Sequence, residues 1–258
     1  LPEIIDYEGT QKILKDDPSP LNVVLLQEIQ RYNSLLGIIK SSLIDLNKAI
    51  QGLVVMSSEL EEAFTCIYET RVPPMWEFAY SSKKPLAAWT RDLVQRIEQF
   101  TKWAESAKQP HIFWLSGFTF PTGFLTAVLQ YSARQSAIPV DSLSWEFSVF
   151  SVDESNIVNP PADGVYVKGF FLEGAGWDMK GAQLIEAAPM QLTTPVPVIH
   201  FKPTEAKKKS AKGMFACPTF YYPVRSTSFV VAVDLKSGEH TSDHWVKRGT
   251  ALLMSLDH

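Results

Sequence analysis

The sequence predicts an α+β fold: an N-terminal helical bundle followed by a mainly antiparallel β-barrel-like or sandwich subdomain. Three observations predict it. An apolar stripe of helical period runs from Leu25 to Leu53 without a miss. Two further helical patterns and a shorter one follow, each with its own apolar face. After about Ile138 the texture changes to short β-branched and aromatic runs punctuated by Gly, Pro, Asn and Asp.

The first helix rests on Leu25, Ile29, Tyr32, Leu36, Ile39, Leu43, Leu46, Ile50 and Leu53, whose steps alternate four and three. Gly37 and Gly52 weaken it locally, and the prolines of "PSP" (Pro18 and Pro20) block its extension backwards. A seam of about four heptads also permits a coiled coil with another polypeptide. The apolar faces of the next helices favour intramolecular packing instead. A second helix starts at "SSELEEAF", where Ser58 and Glu61 have capping-box spacing, and runs to about Thr70. Pro73, Pro74 and Trp76 then end it and seat an aromatic ring on the core. A third runs from about Pro85 through Trp89, Leu93, Ile97, Phe100 and Trp103, and a shorter one follows "FPTG" to about Gln135.

The strand candidates are "SLSWEFSVF", "GVYVKGFFLEG", "VPVIHFKPT", "FACPTFYYPVR", "SFVVAVDLKSG" and "GTALLMSL". Their close spacing reads as an antiparallel sheet curled into a sandwich or partial barrel, with "KSG" at Lys236 to Gly238 as a hairpin turn. The 258 residues are 45% hydrophobic and 20% charged, enough for one large or two smaller globular domains. A net charge of −4 gives no broad attraction to nucleic acid or to an anionic membrane. No apolar run approaches the roughly 20 residues of a membrane span, and no secretory signal is present. The sequence opens on Leu1, which suggests that it begins inside a longer polypeptide. Cys66 and Cys217 match no metal or redox spacing and read as small buried hydrophobes, with one long-range disulfide as the alternative.

Chemistry-bearing motifs are incomplete. "GFTFPTGFLTA" from Gly117 is one residue too long for a phosphate-binding loop, and Phe124 stands where the lysine belongs. In "GAGWDMKG" the third glycine is two residues late for a dinucleotide fingerprint, and no helical pattern follows. Glu173 and Asp178 could pair as acid and base, but acidic residues at strand ends commonly face solvent or cap a turn. His240 and His244 form H-x-x-x-H in what reads as a polar turn between strands, without a visible third ligand. No Gly-x-Ser-x-Gly elbow exists, and Cys217 has no visible activating neighbour. Lys202, Lys207, Lys208, Lys209 and Lys212 make a basic run that reads as a solvated loop or a contact to an acidic partner. No catalytic residue, no metal site and no cofactor site is therefore expected.

Taken in order, "PLNVVLLQEIQRYNSLL", "AIQGLVVMSSELEEAF", "VPPMW", "KPLAAWTRDLVQRIEQFTKW", "FWLSGFTFPTGFLTAVLQYSAR", "GVYVKGFFLEGAGWD", "PVPVIHFKP", "CPTFYYPVRST" and "HWVKRGTALLMSL" resemble the C-terminal region of dynein heavy chains, in the axonemal (ciliary) version rather than the cytoplasmic one. The resemblance covers essentially the whole sequence. It implies a helical part and a β-barrel-like part lying across a ring of six AAA modules in the same heavy chain. On that basis residues 1–19 belong to the end of the last AAA module or its connection, 20–138 to the helical part and 139–258 to the β part. ATP and Mg would sit in the upstream ring, and a stalk elsewhere would bind microtubules, so no catalytic residue carries over. The implied role is to brace the ring and modulate ATPase, force or processivity of a minus-end-directed motor in the cilium or flagellum. Implied partners are the ring and, through the parent protein, other dynein subunits and microtubules.

The residues singled out are accordingly structural or interfacial. Tyr32 lies on the long stripe, and Arg31 beside it is either a ring contact or a solvated arginine. Pro74 and Trp76 anchor the second turn region. Trp89, Asp92 and Arg96 share one helix, with Asp92 and Arg96 at ion-pair spacing that reads as a surface support. Gly174 and Gly176 give "EGAGWD" freedom to turn, and Trp177 packs back on the sheet. The rival functions are a stand-alone β-barrel module binding peptide or glycan, and a hydrolase using Glu173 and Asp178.

Overall fold

Pro20 has no amide proton to lose and stands at the first position of a long helix, where that lack is harmless. The computed structural model describes residues 1–205, 213–221, 225 and 229–256. Its packing forms two compact units, one of Leu1–Pro18 with Asn22–Lys108, the other of Ser19–Leu21 with Gln109–Leu256. The change of texture near Ile138 therefore falls inside the second unit.

The first unit is helical. It contains α1 (Tyr7–Ile13), α2 (Pro20–Ile50), α3 (Ser58–Tyr68) and α4 (Leu86–Ser106). Asn33 on α2 ties down the segment before α1, donating to the Ile5 carbonyl at 2.7 Å and accepting from the Ile5 amide at 2.9 Å. The predicted stripe is buried from Leu25 to Ile39 and again at Leu46, but Leu43, Ile50 and Leu53 are exposed. Helical period persists there after burial within the unit has ended.

The cap of α3 is Ser57, not Ser58: the Ser57 hydroxyl accepts from the Leu60 amide. The helix stops at Tyr68, before the prolines, because Thr70 adopts left-handed backbone and the Arg71 amide returns to the Cys66 carbonyl at 2.8 Å. Pro74 opens a single 3-10 turn, Pro74–Trp76. All five predicted α4 anchors, Trp89 to Trp103, are buried. Tyr32 sits with its ring 5.5 Å from Phe100 and 6.3 Å from Tyr80, so α2 and α4 pack on each other, as the bundle reading expects.

The second unit holds β1 (Ile112–Trp114), α5 (Pro121–Ser136), β2 (Leu143–Val149), β3 (Val165–Lys168), β4 (Phe170–Glu173), β5 (Gly176–Asp178), β6 (Gln183–Ile185), β7 (Thr193–Val196), β8 (Ile199–Glu205), β9 (Met214–Phe220), β10 (Val231–Lys236), α6 (Ser242–Lys247) and β11 (Ala251–Leu253). Its sheets run β1-β3-β8-β2, β10-β9-β11-β4-β7 and β5-β6. They are open sheets, which corrects the barrel-like expectation. The pairings are mainly antiparallel, but β1–β3 and β9–β11 are parallel.

One glycine explains much of the difference. "GVYVKGFFLEG" is two strands in different sheets, broken at Gly169, whose φ is +91°. Before it Val165 and Val167 are buried, and after it Phe170 and Leu172. The break resets the two-residue alternation by one position, so four large apolar residues turn inward although they fall on opposite parities. A Cβ at Gly169 would meet the Trp114 ring at 2.5 Å, so the close approach also excludes a side chain. Phe170 then stacks on Phe201 of β8 at 6.0 Å, joining the two larger sheets. "KSG" is not a hairpin turn: β10 ends at Lys236, and Gly238, at φ +65°, leads into α6.

Candidate functional site

The ion pair predicted for the surface is in the core. Asp92 and Arg96 are 4% and 1% exposed, with Arg96 Nε 2.5 Å from Asp92 Oδ2. Lys84 Nζ donates to the other carboxylate oxygen at 2.9 Å, and the Arg96 guanidinium lies 4.0 Å over the Tyr80 ring. The i,i+4 spacing identifies the pair but cannot locate it, because Lys84 and Tyr80 come from the preceding segment. Trp76 and Trp89 stack beside them at 5.9 Å, and the Trp76 indole donates to Ser42 Oγ at 3.0 Å. Tyr32 joins the same aromatic layer through Tyr80. Five of the singled-out positions, Tyr32, Trp76, Trp89, Asp92 and Arg96, thus build one core, while Pro74 is exposed. Arg31 is half-exposed and pairs with buried Glu28 at 3.1 Å.

Several large apolar side chains of this unit are exposed. Ile50, Leu53, Val54 and Val55 follow the buried part of the stripe, and Phe64 and Tyr68 on α3 are also exposed. Val55 is 93% and Tyr68 81% exposed, far beyond the fraction of a core residue. Phe64 and Tyr68, one helical turn apart, stack with ring centres at 6.5 Å. An open groove of about 660 Å³ lies between the segment around α1 and α4, lined by Ile5, Gly9, Val94 and Ile97 among others. None of the singled-out residues lines it.

In the second unit the glycine-rich segment divides its labour. Gly174 has φ +76°, and a Cβ there would come within 2.9 Å of the Arg248 carbonyl. Gly176 is not a turn residue: it begins β5, where a Cβ would press to 2.9 Å on the Glu186 carbonyl across the strand pair. Trp177 is buried opposite Leu184. Glu173 ion-pairs with Arg225, and Asp178 accepts from the amides of Lys180 and Gly181 at 2.9 and 3.0 Å. Both carboxylates therefore have structural partners, and Asp178 caps a turn as its position at a strand end suggested.

The aromatic filling of "GFTFPTGFLTA" leaves Phe118 and Phe124 buried and stacked at 4.2 Å where a phosphate loop would need open amides. Burial pushes the Cys217 thiol far above its ordinary range, and Cys66 and Cys217 are both buried free thiols. Lys207, Lys208, Lys209 and Lys212 lie outside the described residues; Lys202, on β8, faces Glu146 at 3.6 Å.

His240 and His244 do have a third partner, which spacing could not supply. His244 lies on α6 rather than in a turn between strands, and Glu186 follows β6. Glu186 Oε1 is 2.6 Å from His244 Nε2 and 3.5 Å from His240 Nε2, while Arg248 holds Oε2 at 2.7 Å. Partial desolvation pushes the Glu186 carboxyl up, but the His244 hydrogen bond and the charges of Arg248 and the imidazoles outweigh it and leave it below its ordinary value. Among the described residues these three side chains form the group with metal-ligand geometry. No helix among the described residues is long and apolar enough to cross a membrane.

A helical unit and a unit of open sheets make up the described residues. The protein belongs to the family of the C-terminal domain of dynein heavy chains, whose model matches residues 1–254. It is 66% identical over its full length to human "Dynein axonemal heavy chain 2" and 51% identical, over 99% of its length, to the Chlamydomonas reinhardtii "Dynein-1-beta heavy chain, flagellar inner arm I1 complex". It spans about 6% of the length of each of these relatives.

Proposed function

We propose that this domain braces the AAA ring of its own heavy chain and modulates the ATPase cycle, force or processivity of a minus-end-directed microtubule motor in ciliary or flagellar movement. The observation that carries this reading is the exposed apolar run Ile50, Leu53, Val54, Val55, Phe64 and Tyr68. Exposed apolar residues consecutive in sequence, as from Leu53 to Val55, are of the kind a partner surface would cover. Since the relatives are about seventeen times longer than the matched segment, by the 6% coverage, the rest of the heavy chain is the nearest candidate to cover them. ATP and Mg would bind in that upstream ring, and microtubules would be reached through the parent protein.

The control would be thermodynamic. A domain that keeps its contacts in one ring conformation and loses them in another shifts the balance by the difference in contact free energy. Replacing Leu53, Val55 and Tyr68 together by Asp in the full heavy chain is expected to change microtubule-stimulated ATPase rate, gliding velocity or run length while nucleotide still binds. Unchanged values for all three would sink the proposal.

A further inference from the structure

We propose that Glu186, His240 and His244 form a surface site for a divalent transition-metal ion of the zinc class. The donor chemistry suits it. Two imidazole nitrogens and one carboxylate oxygen are the set that holds zinc with a fourth position left to water. The three ligand atoms already lie within 4.8 Å of one another.

The site is built rather than incidental. The two imidazole rings have centres 4.0 Å apart and planes 15° from parallel, each with Nε2 near the same oxygen of Glu186. Since an imidazole nitrogen binds a metal in its ring plane, one ring turns out of the stack when both ligate one ion. Behind them the buried Trp245 ring stands edge-on to His240 at 5.5 Å and to His244 at 4.9 Å. Trp245 is itself locked by its indole donating to the Ser237 carbonyl at 3.0 Å. Gly238 lets the loop before His240 run against β6, since a Cβ there would meet the Leu184 carbonyl at 2.3 Å. That contact brings the loop carrying His240 to the strand end from which Glu186 emerges.

Arg248 contributes orientation. By holding Oε2 it leaves Oε1 toward the imidazoles, the outer-shell arrangement that fixes a carboxylate ligand. Metal–ligand bonds of about 2.0–2.1 Å in a tetrahedron place the ligand atoms about 3.3 Å apart. The His240–Glu186 distance of 3.5 Å already matches, and the His244–Glu186 distance of 2.6 Å opens by less than about 1 Å as the ion replaces the hydrogen bond. A bound ion would cross-link the end of β6 to α6.

The test titrates the 258-residue protein with Zn(II) and, separately, with Co(II), whose visible absorption reports coordination number. One equivalent is expected, with the intense Co(II) bands of a four-coordinate ion and a zinc-dependent rise in Tm. Affinity should fall more than about 100-fold in His240→Ala and His244→Ala, exceeding the roughly 10–100-fold effect of outer-shell changes. Glu186→Gln should weaken binding as well, whereas His111→Ala should leave it unchanged. The three ligand side chains are partly exposed, so circular dichroism is expected to show folded variants. Absence of saturable binding by the folded parent protein overturns the proposal. So does binding that survives in the His240→Ala/His244→Ala double variant.

Discussion

The two units differ in where their most connected charges lie. The helical unit buries Asp92 and Arg96 beside Trp89, with Lys84 and Tyr80 completing the shell. The sheet unit keeps its networks at the surface, where Glu186 meets His240, His244 and Arg248, and Glu173 meets Arg225. A buried pair is held by every partner at once, since removing one leaves the other charged and dry. An exposed network exchanges its partners with water and so remains available to a ligand. The difference separates a set of residues that determines stability from a set that can bind.

Breaking the buried set should have the largest effect. Asp92→Ala removes the buried carboxylate that pairs with both Arg96 and Lys84 and is expected to lower stability by about 3–5 kcal/mol, measured by urea unfolding. A smaller but clear loss is expected from Gly164→Ala at the start of β3. There φ is +73°, and the new Cβ would lie 2.1 Å from the Phe201 carbonyl. Loss of the left-handed glycine alone accounts for about 1 kcal/mol, and the clash adds to it. Glu173→Gln should change stability least, by about 0–1 kcal/mol, and less still at high salt. If Asp92→Ala costs no more than Glu173→Gln, the contrast between the units fails.

The helices were legible because their information is local. Residues three and four apart meet on one face, so Trp89, Leu93, Ile97, Phe100 and Trp103 announced both a helix and its buried side. The same locality misplaced the edges of the reading. Periodicity continued through Ile50 to Leu53 although their burial ended, and the Asp92–Arg96 spacing is identical for a surface and a core pair. In the sheet unit the strand texture was visible, but register and closure are long-range properties. The Gly169 break assigned β3 and β4 to different sheets, and the parallel pairing of β9 with β11 joins segments separated by α6.

By itself the sequence determined the α+β class, the helical stripe, the small-residue turn at Gly174 and the lack of any complete phosphate or nucleophile motif. Its ordered blocks also carried the family resemblance. Only the tertiary structure decided that the sheets stay open, that Asp92 and Arg96 lie inside, and that Glu186 meets His240 and His244. Period and spacing record neighbours along the sequence, whereas burial and coordination depend on residues that folding brings from far away.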